Sequence, residues 1–209
     1  MTKDRVRNFE GKKLPLVEEF YSVQGEGYHT GKPAYFIRLG GCDVGCSWCD
    51  TRFAWNPSVH PVVDTETIIE HVVKSGTNCV VVTGGEPLTW NLDPLCSSLK
   101  NINILTFIET SGIYPLTGQW DWICLSPKKN APPRPEICNK ADELKVIIEV
   151  TSDFEWAEKY RSKVDRKCKL FLQPEWSRYE NIIPEIVEYV KKNQVWRISL
   201  QSHKFMHIP

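Results

Sequence analysis

The chain has 209 residues, and its 26 basic side chains balance 26 acidic ones to a formal net charge of +0. This length suits a single domain with a sizeable core, whereas the balanced charge supplies no strong field to attract nucleic acid or an anionic membrane. The polar first 13 residues lack the apolar core of a secretory signal, and no apolar run approaches the roughly 18 residues of a membrane-spanning helix. We therefore expect a cytoplasmic protein that binds neither nucleic acid nor membrane.

Strand-like and helix-like segments alternate along the chain. Short runs dense in Val, Ile and Phe predict strands buried on both faces, at residues 34–39, 79–83, 104–109, 120–125, 143–149, 168–173 and 195–201. Apolar residues spaced three and four apart predict helices at residues 65–74, 92–99, 154–164 and 182–192. This alternation favours a parallel α/β sheet with right-handed crossovers. We expect a partial (β/α)6-type open barrel in a single domain, because the units are too few for an eight-fold barrel. A doubly wound sheet is the alternative.

The most distinctive motif is the C-x3-C-x2-C spacing of Cys42, Cys46 and Cys49. Three thiolates so close together can hold one compact metal centre, but a closed zinc site or an ordinary four-iron cluster needs four protein ligands. Glycines beside and between these cysteines let the backbone bend where a strand could not. The spacing therefore indicates a ligand loop with one open metal position.

A structural zinc site is the alternative to an iron–sulfur centre. It would take its fourth ligand from His29, His60 or a distant cysteine, although none of these has a zinc-finger spacing. Four other cysteines lie in strand-like or helical apolar runs, so we expect reduced thiols that fill the core rather than bind metal. These four residues are Cys79, Cys96, Cys124 and Cys168.

Polar or turn-rich segments follow the ends of most predicted strands. In parallel α/β folds the carboxyl ends of the strands form the rim where ligands bind. A Gly-Gly or Ser-Pro pair after one strand is usually an ordinary turn, but several such segments on one rim together indicate a binding site. They are the cysteine loop, Gly84-Gly85-Glu86-Pro87, Thr110-Ser111-Gly112, Ser126-Pro127-Lys128, Gln173-Pro174-Glu175 and Gln201-Ser202-His203-Lys204.

The cysteine triplet, with the aromatic Trp48 before its third member, and the segment Gly84-Gly85-Glu86-Pro87 resemble the radical S-adenosylmethionine (SAM) superfamily. The resemblance implies a [4Fe–4S] cluster on the three cysteines. It also implies that the amino and carboxylate groups of SAM chelate the iron that has no cysteine, which explains why three ligands suffice.

Further segments resemble the 7-carboxy-7-deazaguanine synthase family across nearly the whole chain. They are residues 20–27, Arg38, Cys49-Asp50-Thr51, Ser126-Pro127-Lys128, Gln173-Pro174-Glu175 and the tail 201–209. The resemblance implies one radical SAM domain over residues 1–209. In that domain the cluster loop spans residues 40–52, and the C-terminal tail, residues 201–209, closes the substrate site.

The same resemblance implies a chemical reaction and its partners. The expected enzyme is a carbon–nitrogen lyase that contracts the ring of 6-carboxy-5,6,7,8-tetrahydropterin to 7-carboxy-7-deazaguanine, with release of ammonia, on the route to queuosine. A radical from SAM takes hydrogen from C6 of the pterin, so no side chain is required as a catalytic acid or base. Mg²⁺, an electron donor such as a flavodoxin or ferredoxin, and a homodimer are implied as well.

Site residues are also implied by the resemblance. The implied SAM-binding residues are Trp48, Cys49, Asp50, Gly85, Glu86, Ser111, Ser126, Pro127, Lys128, Gln173, Pro174, Glu175 and Trp176. The implied substrate-binding residues are Val23, Gln24, Gly25, Glu26, Arg38, Thr83, His203 and Pro209, and Thr51 is the implied magnesium ligand. The alternatives are an ordinary turn position for Thr51 and a surface position for His203.

Two charged residues have competing interpretations. Arg38 lies near a strand end on an inward face and therefore needs an anion. That anion is either the substrate carboxylate, which a guanidinium grips with two bonds, or a side chain such as Glu26 or Glu109. Glu86 either meets the ammonium of SAM or caps the following helix.

Two other function classes remain open on sequence grounds. A glycyl-radical-enzyme activase would share the cysteine triplet and a similar size, but it would not need the signature at residues 24–27 or Thr51. A non-enzymatic binding module stabilised by structural zinc is the second alternative.

Overall fold

Strands and helices alternate through residues 10–209, the part of the chain that a computed structural model describes. Residues 1–9 of the polar N-terminal segment lie outside these described residues. The strands are β1 (Lys13–Val23), β2 (Pro33–Leu39), β3 (Val62–Asp64), β4 (Cys79–Gly84), β5 (Leu105–Thr110), β6 (Trp122–Leu125), β7 (Glu143–Ile148), β8 (Lys169–Pro174) and β9 (Trp196–Ile198). The helices are α1 (Thr65–Ser75), α2 (Asp93–Asn101), α3 (Pro135–Lys140), α4 (Asp153–Arg161), α5 (Tyr179–Lys192) and α6 (Ser202–Met206).

Within residues 10–209 the nine strands form one sheet in the order β3-β1-β2-β4-β5-β6-β7-β8-β9. Neighbouring strands from β2 to β9 pair in parallel, whereas β1 pairs antiparallel with both β2 and β3. The predicted parallel α/β fold is confirmed. A doubly wound sheet reverses its strand order at a switch point, but here the order advances in one direction from β2 to β9.

Four elements were not predicted from the sequence: β1, β3, α3 and α6. Strand β1 is the longest strand of the sheet, and its pairing with β2 runs from Leu16 opposite Leu39 to Val23 opposite Pro33. Polar residues in its second half hide the apolar pattern of a buried strand. The segment predicted as a strand at residues 195–201 pairs with β8 only over Trp196–Ile198, and the chain then turns into α6.

The two faces of the sheet have different coverings. Helices bury their apolar stripes on the outer face, among them Ile68 and Val72 of α1 and Leu95 and Leu99 of α2. An apolar plug fills part of the inner face, and its members are Phe20, Ala34, Phe36, Cys79, Val81, Phe107 and Trp122. Side chains alternate along a strand, so residues two positions beyond the plug share its face. This places Arg38, Thr83 and Glu109 on the inner face, nearer the carboxyl ends.

Four of the five cysteines outside the triplet behave as predicted. Cys79, Cys96, Cys124 and Cys168 are buried and unbonded, so they fill the core. Burial raises the pKa of the Cys96 thiol to about 12, which keeps it protonated at neutral pH. Among the described residues, the helices are too short or too polar to span a membrane.

Candidate active site

A cavity of about 500 Å³ opens on the inner side of the sheet, where the carboxyl ends of the parallel strands meet. Every predicted site residue lines this cavity except Pro127, which lines a smaller neighbouring cavity of about 240 Å³. The two cavities share Cys46, Trp48, Lys128 and Ile147. A volume of this size is in the range of sites that bury a small molecule, and it brings together segments from both ends of the chain.

The cluster loop follows β2 directly and is held by its own backbone. Gly41 N donates to Ala54 O at 2.7 Å and Cys42 N donates to Trp55 O at 3.0 Å, so the loop folds back on the turn after it. Trp55 Nε1 donates to Cys49 Sγ at 3.3 Å. A hydrogen bond to a sulfur ligand is one of the means by which a protein adjusts the potential of an iron–sulfur centre.

Gly85 lets the end of β4 touch the cluster loop. Gly85 N donates to Leu39 O at 2.9 Å, and Glu86 N donates to Gly41 O at 2.8 Å. A Cβ at Gly85 would lie 2.6 Å from Gly41 O and 2.8 Å from Cys42 Cβ, closer than real contacts allow. Only glycine therefore fits between the strand end and the first cysteine.

The three thiols fit a metal centre in their chemistry and position. Cys42, Cys46 and Cys49 all line the same cavity. Burial raises the pKa of Cys42 to about 11 and raises that of Cys46 as well. A buried thiolate needs a compensating cation, and iron bound by thiolates supplies it. The arrangement therefore suits an iron–sulfur cluster held by these residues.

The fourth ligand that a structural zinc site would need is not supplied by the histidines considered for it. His29 stacks on Phe107 with ring centroids 4.5 Å apart, on the plug side of the sheet. His60 Nε2 lies 2.8 Å from Phe53 O. Among residues 10–209, no group of three or more His, Cys, Asp or Glu side chains is arranged to hold a single metal ion.

Glu86 caps the turn that follows β4, as one of its two interpretations predicted. Its carboxylate accepts hydrogen bonds from Leu88 N at 3.1 Å, Thr110 Oγ1 at 2.6 Å and Ser111 N at 2.8 Å, and also from the Ser111 hydroxyl. Burial raises the pKa of Glu86, although these hydrogen bonds oppose the rise. The side chain also lines the cavity, so contact with the SAM ammonium stays a prediction.

Lys128 contributes a cation to the wall of the cavity. Its Nζ donates to Ser126 Oγ at 2.6 Å and lies 5.0 Å from the ring centroid of Trp48. Burial lowers the pKa of this lysine, an effect that the nearby Cys46 opposes. Three predicted SAM residues thus form one connected group of a hydroxyl, an ammonium and an aromatic face.

The predicted SAM residues at the end of β8 are fixed by local contacts. Gln173 Oε1 accepts a hydrogen bond from Ser199 Oγ at 2.6 Å, and Glu175 caps the next turn by accepting from Ser177 N at 3.0 Å. Trp176 is 40% exposed and packs edge-on against Phe205 of α6. This segment therefore joins the β8 end of the cavity to the C-terminal tail.

Arg38 forms an ion pair that the sequence analysis did not consider. Its Nε donates to Glu18 Oε1 at 2.6 Å, across the antiparallel pair of β1 and β2. The expected protein partners, Glu26 and Glu109, are instead bound to Lys145. The prediction of these partners for Arg38 is wrong, because the register of β1 against β2 places Glu18 directly opposite.

A group of five side chains, hereafter the Lys145 cluster, lies along the cavity. Its members are Gln24, Glu26, Glu109, Lys145 and Gln201. Lys145 and Glu109 were not among the predicted site residues, whereas Gln201 was predicted only as part of a rim segment and of the tail. One signal could have found the lysine: it stands in an apolar run predicted to be buried on both faces, where an ammonium needs acidic partners.

Residues of the C-terminal tail line one side of the cavity. Ser202 N donates to Gly25 O at 2.9 Å, Lys204 Nζ donates to Asp50 Oδ2 at 2.9 Å, and Ser22 Oγ donates to Pro209 O at 3.2 Å. These contacts connect the tail to the end of β1, to the segment that follows β1 and to the cluster loop.

His203 packs so closely that a Cβ at Gly25 would lie 2.3 Å from its Nδ1. Burial lowers the pKa of His203. The alternative of a plain surface position for this histidine is therefore wrong.

Thr51 lies beside the third cysteine. Its Oγ1 is 3.5 Å from Cys49 Sγ, and its carbonyl oxygen accepts from Ala54 N at 2.9 Å in a turn. A turn role is thus present, and magnesium binding stays a prediction.

The radical SAM superfamily matches residues 36–126, which include the cluster loop and the ends of β4, β5 and β6. A 7-carboxy-7-deazaguanine synthase from Flavobacterium psychrophilum is 55% identical, over 96% of this chain and 95% of that protein. One from Synechocystis sp. is 46% identical, over 93% of both chains.

A solved structure agrees with the sequence relatives. The crystal structure of QueE from Escherichia coli superposes with a TM-score of 0.81 at 30% identity, and the match covers 91% of this chain and 95% of that one. This likeness is consistent with the predicted partial barrel. The superfamily implies a [4Fe–4S] cluster and SAM, which the thiols of the cluster loop fit. The chain belongs to the 7-carboxy-7-deazaguanine synthase family of radical SAM enzymes.

Proposed function

We propose that the protein is a carbon–nitrogen lyase that converts 6-carboxy-5,6,7,8-tetrahydropterin to 7-carboxy-7-deazaguanine, with release of ammonia, in queuosine biosynthesis. One observation carries the proposal: the cysteine triplet and all eight predicted pterin residues line one cavity. The proteins named 7-carboxy-7-deazaguanine synthase that resemble this chain over most of their length support it.

Cys42, Cys46 and Cys49 would hold the cluster, and the remaining iron would hold SAM. When bound, the pair supplies one-electron chemistry that takes hydrogen from C6 of the pterin. The wall formed by Trp48, Ser126 and Lys128 suits the adenosyl and carboxylate parts of SAM, because it offers an aromatic face and two donors. Proton transfer by a side chain is not required in this scheme, so the residues orient the reactants and exclude water.

The pterin would lie between Arg38 and the Lys145 cluster. Arg38 suits the substrate carboxylate, since a guanidinium retains further N–H donors after one bond to Glu18. Gln24, with a donor and an acceptor on one amide, suits the aminopyrimidinone edge. Thr83, His203 and Pro209 line the rest of this region. The two ends of the substrate thus meet groups of matching chemistry.

Magnesium would bind at Thr51. A single hydroxyl is a weak magnesium ligand, so oxygens of the substrate and waters would complete the octahedron. Metal binding should therefore depend on substrate. The location of Thr51 on the cavity wall, next to the cluster loop, supports this assignment.

The proposed enzyme works as one radical SAM domain over residues 1–209, in which residues 201–209 close the substrate site. The contacts of Ser202, Lys204 and Pro209 support that role for the tail. A homodimer in the cytoplasm, served by a flavodoxin or ferredoxin, completes the proposal and follows from the family resemblance.

The experiment is anaerobic incubation of the reconstituted protein with the pterin, SAM, a reductant and Mg²⁺. We expect 7-carboxy-7-deazaguanine and ammonia in equal amounts, and no product when the pterin is left out. Cleavage of SAM without any deazaguanine would refute the proposed reaction and favour another radical SAM activity, such as that of a glycyl-radical-enzyme activase.

A further inference from the structure

Lys145 is a buried cation to which the proposed reaction assigns no role of its own. It lies on β7, and its side chain is only 5% exposed. Its Nζ donates to Glu26 Oε2 at 2.5 Å and to Glu109 Oε2 at 2.7 Å. These two carboxylates come from the segment after β1 and from β5, so one ammonium joins two distant parts of the cavity wall.

The side-chain amides of Gln24 and Gln201 extend the ion pairs of Lys145 toward the residues that are proposed to contact the substrate. Gln24 Nε2 donates to Glu109 Oε1 at 3.2 Å, while Gln24 Oε1 accepts from Glu26 N at 3.2 Å. Gln201 Nε2 donates to Glu26 Oε1 at 2.9 Å. The orientation of the Gln24 amide is therefore set by both acidic residues, and the same network reaches the C-terminal tail.

The charges around Lys145 are predominantly acidic. Glu26 and Glu109 are its direct partners, Glu143 and Cys124 lie near it, and the basic side chains that face it are Lys128 and His203. Burial opposes the charge on Lys145, but the acidic neighbours raise its pKa well above the usual value. Burial would likewise raise the pKa of Glu26, but attraction to Lys145 and hydrogen bonds bring it down to about 2.

The arrangement presents anionic acceptors to a ring that is rich in donors. Each carboxylate oxygen has more than one acceptor position, so Glu26 and Glu109 retain lone pairs after they bind Lys145. An aminopyrimidinone ring carries N–H donors on adjacent atoms, and hydrogen bonds from such donors to carboxylates are of the strong, charge-assisted kind. Arg38, on β2, lies at the part of the cavity proposed for the opposite, carboxylate end of the ligand.

We propose that Lys145 is a positioning residue: its ammonium fixes the carboxylates of Glu26 and Glu109 so that their remaining lone pairs face the N–H donors of the pterin ring. The inference rests on the proposed function. It assigns Lys145 no contact with the reacting carbon, and it predicts an effect on pterin binding that exceeds any effect on SAM binding.

The test is the substitution Lys145→Met, which keeps most of the length of the side chain but removes its charge. We expect the dissociation constant of the pterin at about pH 7, measured anaerobically on the cluster-loaded protein with SAM, to rise about tenfold or more, since a buried charged hydrogen bond is lost. The SAM dissociation constant should stay unchanged. The matched control is Lys169→Met on β8, an exposed lysine that should leave both constants unchanged.

The pH dependence separates positioning from a loss of structure. Without the ammonium, burial and mutual repulsion raise the pKa values of the Glu26 and Glu109 carboxyl groups toward neutrality. One of these groups is then protonated at low pH and is lost as an acceptor, and it becomes an acceptor again as the pH rises. Pterin binding by Lys145→Met should therefore improve between about pH 6 and about pH 9 relative to the native protein. An equal loss of SAM and pterin affinity that does not vary with pH would overturn the proposal.

A second variant protects the test against misfolding. The double variant Lys145→Met/Glu109→Gln removes one negative and one positive charge together. The net charge of the three positions 26, 109 and 145 therefore stays the same, and Glu26 remains an acceptor. We expect it to fold, to bind pterin more tightly than Lys145→Met at about pH 7, and to lose most of the pH dependence. Weaker binding than the single variant would contradict the proposal. If the native protein itself neither binds nor converts the pterin, the proposed function fails, whereas native-like Lys145→Met refutes the role of Lys145 alone.

Discussion

Arg38 Nε lies 2.6 Å from Glu18 Oε1, and the two residues face each other across the antiparallel strands β1 and β2. The Arg38 side chain is 18% exposed, whereas that of Glu18 is 44% exposed. Glu18 therefore restrains the guanidinium from its solvent side, while Arg38 also lines the cavity. An ion pair of this kind orients the arginine without using all of its N–H donors.

We expect Arg38→Ala to weaken pterin binding by about tenfold to a hundredfold, because a charged hydrogen bond to the substrate carboxylate is removed. SAM binding should change much less. Anaerobic titration of both ligands on the loaded protein measures the difference. Glu18→Gln is the matched control, and it should retain most of the affinity because the guanidinium remains. Equal losses of SAM and pterin binding in Arg38→Ala would reject the carboxylate role.

Cys46→Ala should remove the four-iron cluster and all SAM cleavage, while the fold persists. Two thiols remain in such a variant, and two ligands hold a cubane poorly. Iron and sulfide content after anaerobic reconstitution, with circular dichroism as the measure of folding, checks this expectation. Cys168→Ala, at a buried cysteine of the core, serves as the control and should keep its iron. A normal cluster in Cys46→Ala would disprove the ligand assignment.

Gly85→Ala should lower the iron content without unfolding the protein. The added Cβ would meet the backbone at Gly41 and the side chain of Cys42, so the cluster loop must move. A strained core contact of this kind costs roughly 1–3 kcal/mol. Gly31→Ala is a useful comparison, because its Cβ would meet nothing within 4 Å although the backbone there has φ +86°. If both variants hold equal iron, the contact between β4 and the cluster loop is not required.

Glu143 should make stability fall as pH rises. Burial raises the pKa of this carboxyl from 4.5 to about 7, although attraction to Lys145 opposes the rise. A group whose pKa is higher in the folded state stabilises the fold fully below its unfolded pKa, and that stability is lost as pH passes through the folded value. Between pH 5 and pH 8, ionisation of Glu143 should therefore lower the free energy of unfolding of the native protein by on the order of 3 kcal/mol. The variant Glu143→Gln should not show this loss.

Urea denaturation at several pH values measures this difference. The free energy of unfolding of Glu143→Gln should depend less on pH than that of the native protein. Glu136→Gln, at an exposed carboxyl on α3, should follow the native curve. Parallel curves for the native protein and Glu143→Gln would show that the Glu143 carboxyl ionises normally.

The parallel strands and the cluster loop were predictable because their signals are local. Strands β4, β5, β7 and β8 are dense apolar runs, and Cys42, Cys46 and Cys49 form their motif within eight positions. Strand β1 was not predictable in this way, because polar residues interrupt the apolar pattern of its second half. This half of the strand pairs with β2 but is not packed in the core. The role of β1 in the fold is its pairing with β2, and this pairing cannot be read from the sequence of either strand alone.

The charge partners depended on long-range geometry. Lys145 is separated by 119 residues from Glu26 and by 36 from Glu109, so nothing in their spacing indicates contact. The partner of Arg38 followed from the register between β1 and β2, which the sequence does not specify once β1 is missed. Glu86, in contrast, lies two residues before the amide that it caps, and this role was predicted.

The contacts between the C-terminal part of the chain and the segment that joins β1 to β2 also bear on how the protein is made. Ser202 Oγ binds Gly25 O across a separation of 177 residues, and Gly27 N binds Ser199 Oγ across 172. Contacts of such long range form late, because the intervening loop must be closed first. During synthesis on the ribosome, the cysteine loop is therefore complete well before Ser199 and Ser202 can reach Gly27 and Gly25.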